Sequence, residues 1–224
     1  MNAKPITSML LAAFGAALLA TCVGAASGAT TSRATARVAP LTTIRTDVNH
    51  WLAHAGFKGF TVGEVMAFSN NDYAAVNDKT GKPAFELLLS PTGSWVMEEP
   101  VSMMWNTTYG MARSASAGYG GMMGGYGMMG SGSGMMGGSS DWYSTGAGKV
   151  TSLTQAVTVA NAWLLKNSSR QKAETDGRAF PGYFTLDTTL NGKTAGMLSV
   201  NATTGTVWYH GWHGTFVGEK MFAA

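Results

Sequence analysis

The chain has a single cysteine, Cys22, and charged side chains make up only 12% of its 224 residues. With no second cysteine there can be no disulfide framework, no thiolate zinc site and no c-type haem attachment. The patterns that position a nucleophile, a phosphate or a dinucleotide are missing too: there is no G-x-S-x-G, no HExxH, no phosphate loop and no Rossmann fingerprint. Carboxylates are few, and the adjacent pair Glu98-Glu99 at a strand end reads as solvated rather than as an acid and a base. The expectation is a protein that is not an enzyme. A formal net charge of +3, part of it from Lys4, leaves no basic footprint for nucleic acid.

Only one hydrophobic run is long, and it lies at the N-terminus. After Lys4 come apolar residues from Met9 to Ala20 and then small ones, the pattern of a secretory signal peptide over residues 1–29. Cleavage between Gly24 and Ala29 would leave a soluble product with no transmembrane span. Alternatively, Leu19-Ala20-Thr21-Cys22 resembles a bacterial lipobox, in which Cys22 would carry a lipid anchor. Both readings put the body outside the cytoplasm: periplasmic, secreted or anchored at the envelope. Sequons at Asn106, Asn167 and Asn201 matter only in a host that glycosylates them.

Methionine, by contrast, is abundant in one place. Of fifteen methionines, nine lie in residues 101–140: Met103, Met104, Met111, Met122, Met123, Met128, Met129, Met135 and Met136. Eight of them form adjacent pairs set among glycine and serine, and nothing between Arg113 and Asp141 is charged. The spacing fits neither a helix nor a strand, so residues 101–148 read as a flexible Gly/Met-rich loop. Thioethers are soft, neutral ligands that suit Cu(I), and they survive an oxidising compartment where thiols pair. The other readings are a tether of drifted composition, a sink for oxidants and an adaptable apolar surface.

Either side of this loop the chain repeats itself. Residues 30–40 read as a linker. Ile44, Val48, Trp51, Leu52 and Ala55 then mark one face of a short helix, and His50 and His54 share its polar face at i, i+4 spacing. Those histidines are either a solvated pair or a metal-facing one. Short β-like runs follow, broken at Asn70-Asn71, at 78–81 and at 90–93. Beyond the loop, Ser152 with Gln155 opens a second helix, a polar connection covers 166–178, and runs ending in TVWYH follow. Aligning Gly81-Lys82 with Gly192-Lys193 repeats the halves at an offset of about 111. The fold class expected is α+β: two tandem helix-then-hairpin units, 41–100 and 149–224, with the methionine loop and Gly211-Trp212-His213-Gly214 projecting from equivalent places.

Asp78 to Trp95 (DKTGKPAFELLLSPTGSW) and Leu190 to Tyr209 (LNGKTAGMLSVNATTGTVWY) resemble the peptidase-propeptide and PepSY family of exported bacterial modules. That resemblance implies a noncatalytic extracytoplasmic module. Peptidase inhibition or binding of an envelope partner would be its role, and it brings no catalytic residues. The aspartate of the family's turn is absent from both copies.

The spacing HxxH in His210-Gly211-Trp212-His213 lets two imidazoles meet on one ion; the plainer reading is an aromatic strand end with locally bonded histidines. The reading favoured is a protein that binds or buffers Cu(I) through the methionine loop, with Met103, Met104, His210 and His213 as ligands nearest the folded edge. The competing one is a PepSY-like module that masks a peptidase or envelope protein, with the loop as tether.

Overall fold

The computed structural model describes residues 40–110, 142–167 and 170–223. The expected leader with Cys22, the expected linker up to residue 39, and Met111, Met122, Met123, Met128, Met129, Met135 and Met136 lie outside the described residues.

Helix α1, Leu41–His54, buries Ile44, Val48 and Leu52, one residue per turn along a single stripe. Strands β1 (Thr61–Phe68), β2 (Asp72–Asn77), β3 (Pro83–Leu89) and β4 (Val96–Glu98) follow as an antiparallel meander. Burial along β1 to β3 is almost continuous, which is what a sheet covered on both faces requires.

The next element corrects the expected loop. Residues Pro100–Trp105 form a short helix, α2, with Val101 fully buried, so Met103 and Met104 sit on a helix and not in a glycine tether. Pro100 stands at the start of this helix, where its fixed φ suits the first turn and its missing N–H costs nothing.

After β5 (Trp142–Tyr143) comes α3, Leu153–Lys166. Ser152 Oγ accepts the Gln155 N–H at 3.2 Å, while Gln155 Oε1 accepts from the Thr151 N–H at 2.8 Å. The cap is therefore as expected at Ser152, but its return arm lands one residue earlier than in a capping box. The connection expected to be polar coil holds two short strands, β6 (Lys172–Ala173) and β7 (Arg178–Phe180). Then come β8 (Tyr183–Leu190) and β9 (Lys193–Asn201), joined through Asn191 and Gly192, both at positive φ as a two-residue hairpin demands. Strand β10 (Val207–Tyr209), a 3-10 turn (Gly211–His213) and β11 (Phe216–Met221) complete the described elements. None of the described helices is long and apolar enough to cross a membrane.

The fold is mixed, with few helices and antiparallel sheets, an α+β arrangement. One sheet has the order β11-β1-β2-β3-β4 and the other β5-β10-β9-β8-β6, with β7 also on β8. Alternate residues of each sheet enter two different cores. Val65, Ala67, Ala74, Val76, Phe85 and Leu87 pack under α1. Leu186, Leu198 and Val200 pack with Ala156, Ala160 and Leu164 of α3. The opposite faces meet between the sheets, where Met66, Phe68, Tyr73 and Ala75 join Phe180, Tyr183 and Met197. The layers run α1, first sheet, second sheet, α3.

The two sheets share one register. Leu87, Leu88 and Leu89 pair with Glu98, Met97 and Val96; Leu198, Ser199 and Val200 pair with Tyr209, Trp208 and Val207. Corresponding residues are 111 positions apart in every pair. The helix stripes, Ile44-Val48-Leu52 and Ala156-Ala160-Leu164, correspond at 112. The expected projection of 211–214 fails for His213 alone: Gly211 and Gly214 are exposed and Trp212 is half-buried, but the His213 side chain turns inward and is 1% exposed.

Candidate metal centre

Three side chains meet at the end of the inter-sheet layer. Glu99 directly follows β4, and its N–H donates to the Glu86 carbonyl at 2.9 Å; His210 directly follows β10, and its N–H donates to the Met197 carbonyl at 3.0 Å. Both chain ends are thus held by the same bond in each half. From His210 the chain enters the 3-10 turn, with the His213 N–H on the His210 carbonyl at 3.3 Å. Three residues per turn bring positions i and i+3 onto one side, so HxxH delivers both rings to the same point. Gly214, at φ +80, lets the chain leave for β11; a side chain there would collide with Ser69 and Asn70.

Glu99 Oε1 lies 3.0 Å from His210 Nδ1 and 3.3 Å from His213 Nε2, and the three residues are 0%, 2% and 1% exposed. Each ring is held from behind. His213 Nδ1 is 2.6 Å from Asn71 Oδ1, and Asn71 Nδ2 donates to the Trp212 carbonyl at 3.1 Å. Because Asn71 presents its oxygen, His213 carries its hydrogen on Nδ1 when neutral, which leaves a lone pair on Nε2 aimed at the carboxylate. His210 Nε2 bonds Ser199 Oγ at 3.1 Å, and Ser199 in turn bonds Thr185 Oγ1 at 2.8 Å. Phe68 stacks on His213 at 4.4 Å and Trp212 on His210 at 4.7 Å, fixing the ring planes.

The inward atoms, Glu99 Oε1 and Oε2, His210 Nδ1 and His213 Nε2, make no well-formed hydrogen bond. Burial raises the Glu99 carboxyl, but the two imidazoles outweigh it and hold the group down at about 2. Burial lowers His210, against the opposing pull of Glu99. These directions conflict, since Glu99 is held down only by positive charge that burial strips from the ring. The geometry sides with an ionised Glu99: two nitrogens point at one buried oxygen, and a proton or a cation must lie between them.

Behind this trio the layer stays polar. Tyr73 donates to Glu86 Oε1 at 2.6 Å, and Ser102 Oγ donates to Glu98 Oε1 at 2.8 Å. Burial, then the charge of Glu99, pushes Glu86 up to about 8, and burial pushes Glu98 up to about 7. The solvated reading of Glu98-Glu99 is corrected: at 6% and 0% exposure both lie inside, because β4 ends where the sheets meet. A second acidic group gathers Glu64, Asp187 and Glu219; Glu64 and Asp187 border a cavity of about 50 Å³, with Arg178 on Glu64 at 2.9 Å.

Among the residues nominated from sequence, His210 and His213 come together. Met103 is half-buried and Met104 is 46% exposed on α2, so Met104 does not share the enclosed setting of the histidines. His50 and His54 are exposed on α1, and His54 Nδ1 is 2.9 Å from the His50 carbonyl. Sequence reasoning missed Glu99, Asn71 and Ser199. One signal for Glu99 was available, since the repeat offset sets it against His210. No family model, curated protein or solved structure matches the chain.

Proposed function

We propose that this is an exported, noncatalytic protein that binds or buffers copper outside the cytoplasm. In this reading two PepSY-like halves form the scaffold, and the methionines of residues 101–148 offer thioethers to Cu(I). The observation that carries it is the run of methionine pairs in residues 101–140, soft donors in a chain whose one cysteine is Cys22; the convergence of His210 and His213 on the buried Glu99 adds a second set of metal-ligating side chains. The trio's inward atoms make no well-formed hydrogen bond, which leaves room for a proton or a cation among them. The equal registers of the two sheets support the tandem scaffold. The methionine series starts on α2, four residues after Glu99, so soft ligands and the enclosed donors adjoin in the chain.

The test is anaerobic competition of the protein for Cu(I) against a chromophoric chelator, beside a variant lacking residues 118–138. Tight uptake that drops with the deletion is expected. Undiminished uptake would remove the segment from the site. No uptake by either protein would overturn the reading in favour of a scaffold that masks a peptidase or envelope partner.

A further inference from the structure

We infer that Glu99, His210 and His213 form a closed site for one divalent first-row ion, Zn2+ or Cu2+, which ties the two halves together. The inference rests on the metal-binding reading above and narrows it: this site takes a divalent ion and leaves Cu(I) to the thioethers.

Distance is the first argument. A tetrahedral ion with bonds near 2.0–2.1 Å sets neighbouring ligand atoms roughly 3.3 Å apart. The carboxylate oxygen lies 3.0 and 3.3 Å from the two ring nitrogens, close to that edge length before any adjustment. Donor type is the second. Two imidazoles and a carboxylate suit zinc or copper(II), whereas Cu(I) prefers sulfur. The third is the support behind the ligands: Asn71 on His213 and Ser199 on His210 occupy the far ring nitrogens and aim the near ones, as partners of metal-bound histidines do.

Placement then fixes the role. Glu99 comes from the first half and both histidines from the second, while Asn71 belongs to the turn between β1 and β2. All three ligands are enclosed, and Phe68, Tyr73 and Trp212 pack against the rings. Glu99 Oε2, buried and unpartnered like Oε1, can take the fourth position, and an ion so enclosed meets no substrate; it joins the elements that ligate it.

The experiment strips the full-length protein with chelator, then titrates it with Zn2+ and Cu2+ separately and follows thermal unfolding. Nitrogen NMR of the histidine rings runs alongside. One equivalent should bind, with Tm raised by about 5–10 °C at a hundredfold excess over Kd. His210 Nδ1 and His213 Nε2 should shift on loading. Glu99→Gln should weaken binding about a hundredfold, while the variant lacking residues 118–138 should bind as the full chain does. If neither ion bound the stripped protein, or if Glu99→Gln bound equally well, the inference would be overturned. The Cu(I) reading would then still stand or fall on its own titration. Should Glu99→Gln fail to fold, the ring shifts of the reloaded full-length protein decide, and unmoved signals overturn the site.

Discussion

The halves of this protein share a frame and differ in what they mount on it. In each, a 14-residue helix lies over a sheet; β3 and β4 in the first half pair in the same register as β9 and β10 in the second, and the chain leaves β4 and β10 through the same backbone bond. The first half puts Glu99 at that exit, and the second puts His210 there. Between the sheets the exchange continues. Ala75 faces Glu86 across strands in the first half, while Asp187 faces Met197 at the matching place in the second. A duplicated frame thus brings unlike donors face to face, whereas like residues at both exits would give two carboxylates or two imidazoles. Unlike residues at matched positions are what gather two imidazoles and a carboxylate here.

The largest expected effect tests the two exits against each other in metal-free protein. His210→Ala leaves the Glu99 carboxylate buried with one partner fewer and should cost about 3–5 kcal/mol. Glu99→Gln removes the charge itself and should cost about 1–3 kcal/mol. Urea unfolding of both variants measures the gap, and equal costs would mean that Glu99 is not ionised in the fold. Next comes the helix stripe. Ala160 stands where α1 has Val48, and both are fully buried. Ala160→Val should overpack the second core by about 1–3 kcal/mol; a neutral result would show spare room under α3.

The smallest effect concerns Asp187. Burial first, then Glu64 and Glu219, raise its carboxyl to about 8. The unfolded chain releases this proton near pH 4 and the folded chain keeps it to about pH 8, so stability is full below pH 4 and falls as pH rises through that window. Asp187→Asn should flatten this fall and add roughly 1–3 kcal/mol at pH 8, below the roughly 5 kcal/mol of the full window because Asp187 is only half-buried and solvent screens it, as read from chemical unfolding at several pH values. An unchanged slope would mean that Arg178 already neutralises the acidic group.

Much of the frame was legible from local pattern. The stripe of Ile44, Val48 and Leu52, the turn at Asn191-Gly192 and the cap at Ser152 each declare themselves within a few residues. Helix α2 did not, because Pro100 and Val101 open a methionine-rich run whose composition dominates any window around it. Nor did the burial of Glu99. It depends on two sheets meeting, and an adjacent acidic pair carries no mark of that. The histidine spacing was visible, but the 3-10 turn that makes it productive is anchored by the burial of His213, whose partners lie far off in the chain. The acceptor at Asn71 lies 142 residues away.

Strand β11 pairs with β1, joining Glu64 to Met221 and Phe68 to Phe216. That contact spans most of the described chain, and the cost of closing so long a loop grows only with the logarithm of its length. Removing the stretch 111–141 from within it would change the closure term by only about 0.2 kcal/mol. The frame is therefore nearly indifferent to how much chain runs between its halves, and that interval is a place where sequence can lengthen, shorten or change composition at little thermodynamic cost.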